Sequence, residues 1–280
     1  MSDPTAADTN FHQTVSNWEG FNREWGGLHN FLLDGEITTG FDFELPPLET
    51  IIEEVRRAPG SVVRSGRKAA EFDLTDVKAE FNALPLDQAM QRPFVLAHFK
   101  VHPELTGPGQ VFEDLQDRWV EPWKQRLRDH DFDFDNVFVA LFCSGPDSAS
   151  NYHMDYTHQL AWQRYGTKHF SGLKDPNHWT TPAERGRCQL KEMIRPAGIT
   201  PADTYTVVQT PGTVLWNAHT TPHWVETHDG CAATLTLVHD QLRHKGELCR
   251  HAQLMNQWRK ENGFEQPNPQ VAVKPAGNYR

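Results

Sequence analysis

The chain has 280 residues, of which 38% are hydrophobic and 23% charged, and its formal net charge is -10. That length supplies core for one large domain or two modest ones, and no apolar run reaches the roughly 18–20 residues needed to cross a bilayer. The acidic balance argues against nucleic acid as the main partner, because phosphate binding wants a basic footprint.

Residues 1–10 lack both a basic start and an apolar segment, so they are not a secretory signal and read as a disordered tail. The remainder, 11–280, reads as a single domain: a mixed, helix-rich portion over 11–134, a strand-rich core over 135–240, and a closing helix and tail over 246–280. Pro46-Pro47 introduces Leu48, Ile51, Ile52 and Val55 at i, i+3, i+4, i+7, with Glu49, Glu53, Glu54, Arg56 and Arg57 on the other side. That pattern predicts an amphipathic helix stopped near Pro59-Gly60. A second short helix is expected from Thr75-Asp76, carrying Val77 and Phe81. Phe94 to Phe99 reads as a strand. Phe112, Leu115, Trp119, Trp123 and Leu127 form another helical stripe, bent at Pro122.

After Asp135 the character changes. Val137 to Phe142, Leu160 to Phe170, Tyr205 to Val208, Val214 to Trp216, Trp224-Val225 and Ala233 to Val238 read as strands separated by turn signals. Short strands at this spacing predict an antiparallel sandwich or jelly roll. The polar, Pro- and Arg-containing stretch 174–203 is long for a connection, as active-site lids are. Leu248, Leu254, Met255 and Trp258 fit a closing helix. The cysteines, Cys143, Cys188, Cys231 and Cys249, form no C-x-x-C pair and suit free thiols in a reducing cytoplasm.

His153-Met154-Asp155 carries the chemistry. On an extended strand, residues two apart point the same way, so His153 and Asp155 can reach one ion while Met154 turns away. With one remote histidine they make a 2-His-1-carboxylate iron site, which leaves one side of the metal open. Pro211-Gly212 forms a turn, Thr213 to Trp216 a strand, and a second turn delivers His223 before Trp224-Val225. His223 is the favoured third ligand; His219 and His158 are the alternatives. The bland reading makes His153 a core histidine and Asp155 a turn cap.

Asn151 to Asp155, Gly166-Thr167-Lys168-His169-Phe170, Pro211 to Trp216 and Pro222 to Val225 together resemble the cupin-type JmjC branch of the Fe(II)- and 2-oxoglutarate-dependent oxygenases, over roughly residues 135–240. The resemblance implies a mainly β fold with flanking helices, a double-stranded β-helix. It also implies Fe(II), 2-oxoglutarate and O2. It gives Lys168 the distal carboxylate of the cosubstrate, with Ser150 and Gln159 as further cosubstrate residues. Two positions depart from the pattern: Thr213 stands where the family usually has Asp, and Ala218 where it usually has Pro. Lys168 is also the best-placed cation on its own terms. A buried dicarboxylate needs a compensating charge, and no arginine occurs between His223 and Arg243. The carboxylate of Asp155 favours hydroxylation over halogenation.

Tyr152, Tyr156, Trp162, Trp216, Trp224, His219, Thr234 and Thr236 are candidate pocket residues, each with plain packing as its bland alternative. Small size and acidic charge favour a small-molecule substrate over a protein, with no nucleic acid and no membrane, in a cytoplasmic protein that can form a homodimer. The alternatives are a JmjC-like protein or peptide side-chain hydroxylase or demethylase, and a non-oxidative metal-binding cupin.

Overall fold

A computed structural model describes residues 13–66, 76–101, 104–188 and 195–264. The expected tails over 1–10 and 265–280 lie outside them, as does Thr75 at the start of the second expected helix. The N-terminal portion carries strands β1 (Thr14–Val15), β2 (Phe31–Leu33), β3 (Ser61–Arg64) and β4 (Val95–His98), with helices α1 (Trp18–Glu24), α2 (Leu48–Arg57), α3 (Lys78–Ala83), α4 (Leu86–Met90) and α5 (Glu121–Asp129). The rest supplies β5 (Phe132–Asp133), β6 (Asn136–Ser144), β7 (Ser148–Ala149), β8 (His158–Tyr165), β9 (Lys168–Leu173), α6 (Pro176–Trp179), α7 (Pro182–Gly186), β10 (Thr204–Gln209), β11 (Val214–Asn217), β12 (His223–Thr227), β13 (Ala232–Asp240), β14 (Arg243–His244), β15 (Glu247–Leu248) and α8 (Arg250–Glu261).

Several local expectations need correction. Helix α2 forms as its periodicity dictates, and Ile51, Ile52 and Val55 are buried. Arg56, expected on the solvent side, is buried instead and donates to the carbonyls of Phe81 and Leu84 at 3.1 and 3.0 Å. The irregularity in the Phe112–Leu127 stripe is a π-helical turn, Gln116–Val120. Pro122 follows in the first turn of α5, directly after that π-helical turn. The stretch Leu160 to Phe170 is two strands, β8 and β9, because Gly166 turns the chain with φ 63°.

Most strands build two facing layers, and β15-β14-β5 form a separate three-stranded sheet. The larger sheet has eight strands in the order β1-β2-β11-β8-β13-β6-β4-β3, and the smaller has four, β10-β9-β12-β7. Strand β13 is buried along its whole length, paired antiparallel with β6 and β8. Cross-strand partners share a face. Leu235 stands beside Leu141 and Trp162, and Leu237 beside Val139 and Leu160. That face meets the N-terminal helices in the main apolar core, with Trp18, Phe21, Trp119 and Trp123. Thr236 stands beside Ala140 and Ala161 on the opposite face. There a smaller cluster, Ala161, Phe170, Tyr205, Val207 and Leu215, lies between the sheets. This is a jelly roll with helices on one side. Among the described residues no helix is long and apolar enough to cross a membrane.

The closing helix α8 is seated on α7. Arg259 is buried and donates to the carbonyls of Gly186 and Cys188 at 2.8 and 2.6 Å. The indole of Trp258 covers Gly186 so closely that a Cβ there would lie 2.1 Å from its Cε3. Gly186→Ala is therefore expected to lower stability by about 1–3 kcal/mol, the usual cost of overpacking. Urea unfolding measures it, and an unchanged midpoint would mean that α8 does not rest on α7.

Candidate metal centre

The His-x-Asp segment is not a regular strand, contrary to expectation. Residues 151–157 are irregular apart from a single antiparallel bridge between His153 and His223. His153 N donates to His223 O at 3.0 Å, and His223 N returns the bond at 2.9 Å. Other groups hold the segment where a ladder would have done so. Ser150 N donates to Val225 O at 2.8 Å, and its hydroxyl accepts from Val225 N at 2.9 Å. Cys188 Sγ donates to Met154 O, and Thr220 N to Asp155 O at 2.7 Å. Arg185 in turn donates to Thr220 O at 2.7 Å. The stretch 174–203 thus contacts the centre through Arg185 and Cys188.

The i, i+2 geometry still operates. Met154 is fully buried, while His153 and Asp155 turn to meet His223. One ligand atom from each of the three lies within 4.8 Å of the others. Both imidazoles are set for metal by their backbone contacts. His153 Nδ1 lies 2.6 Å from Asn151 O, and His223 Nδ1 lies 2.9 Å from Thr221 O. A carbonyl only accepts, so each Nδ1 carries the proton and each Nε2 keeps its lone pair. His223 Nε2 sits 3.4 Å from Asp155 Oδ2. Burial first, then the neighbouring His153, pushes the pKa of His223 down to about 4 against the pull of Asp155, so the ring is neutral at pH 7. The Phe170 ring stacks on His223 at 4.9 Å and 11°. His153 is half-buried while the other two are buried, which leaves the centre approachable from one side.

Deeper between the sheets the lining turns polar. Lys168 is 3% exposed, and its Nζ donates to Phe142 O at 2.9 Å. Among the described residues no carboxylate pairs with it. Burial pushes its pKa down to about 8, with Cys143 opposing. Gln209, its cross-strand partner, is buried with Nε2 lacking a hydrogen-bond partner. Thr234 Oγ1 donates to Gln163 Oε1 at 2.6 Å. Gln159 is half-buried and stands beside Asn217 and Val238.

Two expected pocket residues belong elsewhere. Trp162 packs among Phe41, Phe43 and Trp119 with centroids 5.2–5.3 Å away, and Trp216 packs on Phe21 at 4.8 Å. Both sit in the main core on the helix side of the large sheet, because strand alternation turns them away from the interior. His219 and His158 do not join the triad. Their rings lie 5.5 Å apart, and burial lowers the pKa of both, that of His219 to about 3. Tyr152 is buried, 6.2 Å from Trp224, which Arg195 covers at 4.5 Å. Tyr156 lies 5.9 Å from the Arg259 guanidinium. The two departures from the family pattern have local partners. Thr213 Oγ1 accepts from Thr210 N at 3.1 Å, closing the Pro-Gly turn, and Ala218 N donates to Asn30 Oδ1 at 2.8 Å. Sequence reading missed Gln209, Asn217 and Arg185. Alternation along Tyr205, Val207 and Gln209 places the first inside, and Leu215 with Asn217 places the second.

No protein-family model and no curated protein matches the sequence. Solved structures do. An X-ray structure of Escherichia coli YcfD aligns with TM-score 0.54 at 14% identity, covering 95% of this chain and 64% of that one. YcfD described as a ribosomal oxygenase, in complex with cobalt and 2-oxoglutarate, aligns with TM-score 0.50 at 16% identity, and its complex with cobalt and succinic acid with TM-score 0.50 at 14%. The chain spans less than two thirds of the length of these structures. The expected small-molecule substrate is corrected here, since the similar structures are described as a ribosomal oxygenase. The likeness covers nearly the whole chain and shows its fold, a jelly roll with flanking helices.

Proposed function

We propose that the protein is an Fe(II)- and 2-oxoglutarate-dependent oxygenase that acts on a side chain of a protein. One observation carries this reading: His153, Asp155 and His223 converge in the same interior that buries Lys168 without a counter-charge among the described residues. An unpaired buried ammonium is costly, so it belongs where an anion comes and goes. Its ammonium has hydrogens left for a carboxylate after bonding Phe142 O, and Gln209 Nε2 beside it offers another donor. These two residues would hold the distal carboxylate of the cosubstrate. His153, Asp155 and His223 would hold the iron through two neutral imidazoles and one carboxylate, a hard, mixed donor set that suits Fe(II). When bound, iron and 2-oxoglutarate supply an oxidant strong enough to insert oxygen into a C–H bond, with succinate and carbon dioxide released.

The chain's own contribution is placement. Phe170 and the buried apolar cluster around it keep water from the inner side. The half-buried His153 marks the side open to the approaching substrate. The likeness to a ribosomal oxygenase supports a protein substrate and, with it, a cytoplasmic setting.

Three outcomes follow. Anaerobic addition of Fe(II) and 2-oxoglutarate gives a weak visible absorption band, and His223→Ala abolishes it; a band that survives in the variant would move the third ligand elsewhere. Incubation with separated ribosomal proteins in air gives succinate and a product heavier by one oxygen atom. Tight metal binding without succinate would indicate a non-oxidative cupin instead. Lys168→Met abolishes 2-oxoglutarate binding but not metal binding, and equal loss of both contradicts the assigned role.

The same variant has a signature in stability. The folded-state pKa of Lys168, about 8, lies below its ordinary 10.5, so the fold carries the full cost of the buried charge below pH 8. That cost is on the order of 3 kcal/mol, and is relieved as pH rises from 8 to 10.5. Removing the ammonium deprives Phe142 O of its donor, at about 1–3 kcal/mol. Without cosubstrate, Lys168→Met is expected to melt no lower than the parent at pH 7, with any advantage shrinking toward pH 10.5. A large drop in melting temperature at pH 7 would contradict the charge penalty.

A further inference from the structure

We infer that Asn217 is a positioning residue of this centre, fixing which oxygen of Asp155 faces the metal. The inference rests on the proposed reading that His153, Asp155 and His223 hold iron. Strand β11 alternates: Val214 and Trp216 enter the main core, and Leu215 enters the cluster between the sheets. The next interior position is Asn217, where packing alone would favour another apolar residue. Asn217 is 2% exposed, and a buried amide is costly unless it is hydrogen-bonded. Its Nδ2 donates to Asp155 Oδ2 at 3.0 Å and lies 3.5 Å from His223 Nε2. Its Oδ1 is buried with no hydrogen-bond partner.

The oxygen that accepts from Asn217 is the one that faces His223 Nε2 at 3.4 Å. A carboxylate oxygen has two lone pairs. With one engaged by the amide, the carboxylate no longer turns freely about its bond to Cβ. This matters more here than on a regular strand. Residues 154 and 155 have no ladder; Thr220 N and Cys188 Sγ hold their carbonyls, and the amide of Asn217 aims the carboxylate. Asn217 is itself held in the ladder opposite Gln159, on a rigid sheet. Rigid support from outside the ligand set is what sets the geometry of ligating carboxylates.

The test uses Co(II) titration and its visible spectrum on the full chain. Asn217→Leu keeps the branched outline of the side chain and removes both hydrogen-bonding atoms. It is expected to bind Co(II) about 10–100-fold more weakly and to give an altered Co(II) spectrum, while the metal-free protein melts at or above the parent temperature. A purely structural role would lower the melting temperature and leave the affinity of the folded fraction and its spectrum unchanged; that result overturns the inference. Asn217→Ser, whose hydroxyl is too short to reach Asp155 Oδ2, is the second variant and should show the same loss, so the question stays decidable if the leucine variant does not fold. Parent-like affinity and spectrum in the folded serine variant overturn the inference alone. A parent chain that binds no Co(II) overturns the proposed function and this inference together.

Discussion

The paired backbone hydrogen bonds between His153 and His223 hold the candidate centre together. They join an irregular segment to β12, a strand of the smaller sheet, at the residues whose imidazoles must meet. Without that bridge, two ligands would sit on a loop with no fixed relation to the third. The neighbouring bonds extend the same lock: Ser150 to Val225 on one side, and Thr220 to Asp155 on the other. Arg185 and Cys188 tie the long connection to it, and Arg259 ties the closing helix to that connection. A centre built on a loop gains its rigidity from these contacts rather than from a strand ladder.

The two faces of the large sheet divide the remaining work. The helix side is a dense aromatic core, with Trp18, Phe21, Trp119, Trp123, Trp162 and Trp216 in one cluster. It carries the apolar burial that stabilises the fold. The inner side is only partly apolar, and it buries Lys168, Gln209, Asn217, Thr234 and Gln163. Burying that much polarity costs stability, which the outer core is large enough to offset. The N-terminal portion, which carries no recognisable motif, thereby supports the site by covering the sheet's other face.

Much of this was legible in the sequence. The i, i+2 spacing of His153 and Asp155, the Pro211-Gly212 turn and the return to His223 identify residues that converge, and the strand pattern after Asp135 gives the jelly roll. Four kinds of information were not legible. Alternation within a strand does not say which face is the interior, so Trp162 and Trp216 were expected in a pocket and lie in the opposite core. Spacing does not distinguish a strand from a loop with strand-like geometry, so the His-x-Asp segment was expected in a ladder it does not join. Buried polar residues such as Arg56, Arg185 and Asn217 look like surface or turn residues until their long-range partners are known. Substrate choice was read from size and charge, neither of which reports on what a rim accepts.

X-ray absorption at the metal edge, on the protein loaded with one Co(II), examines the central claim most directly. The account predicts a shell of nitrogen and oxygen donors with the outer scattering of two imidazoles and no sulfur. A sulfur donor, or scattering from no more than one imidazole, would show that His153, Asp155 and His223 do not share one ion.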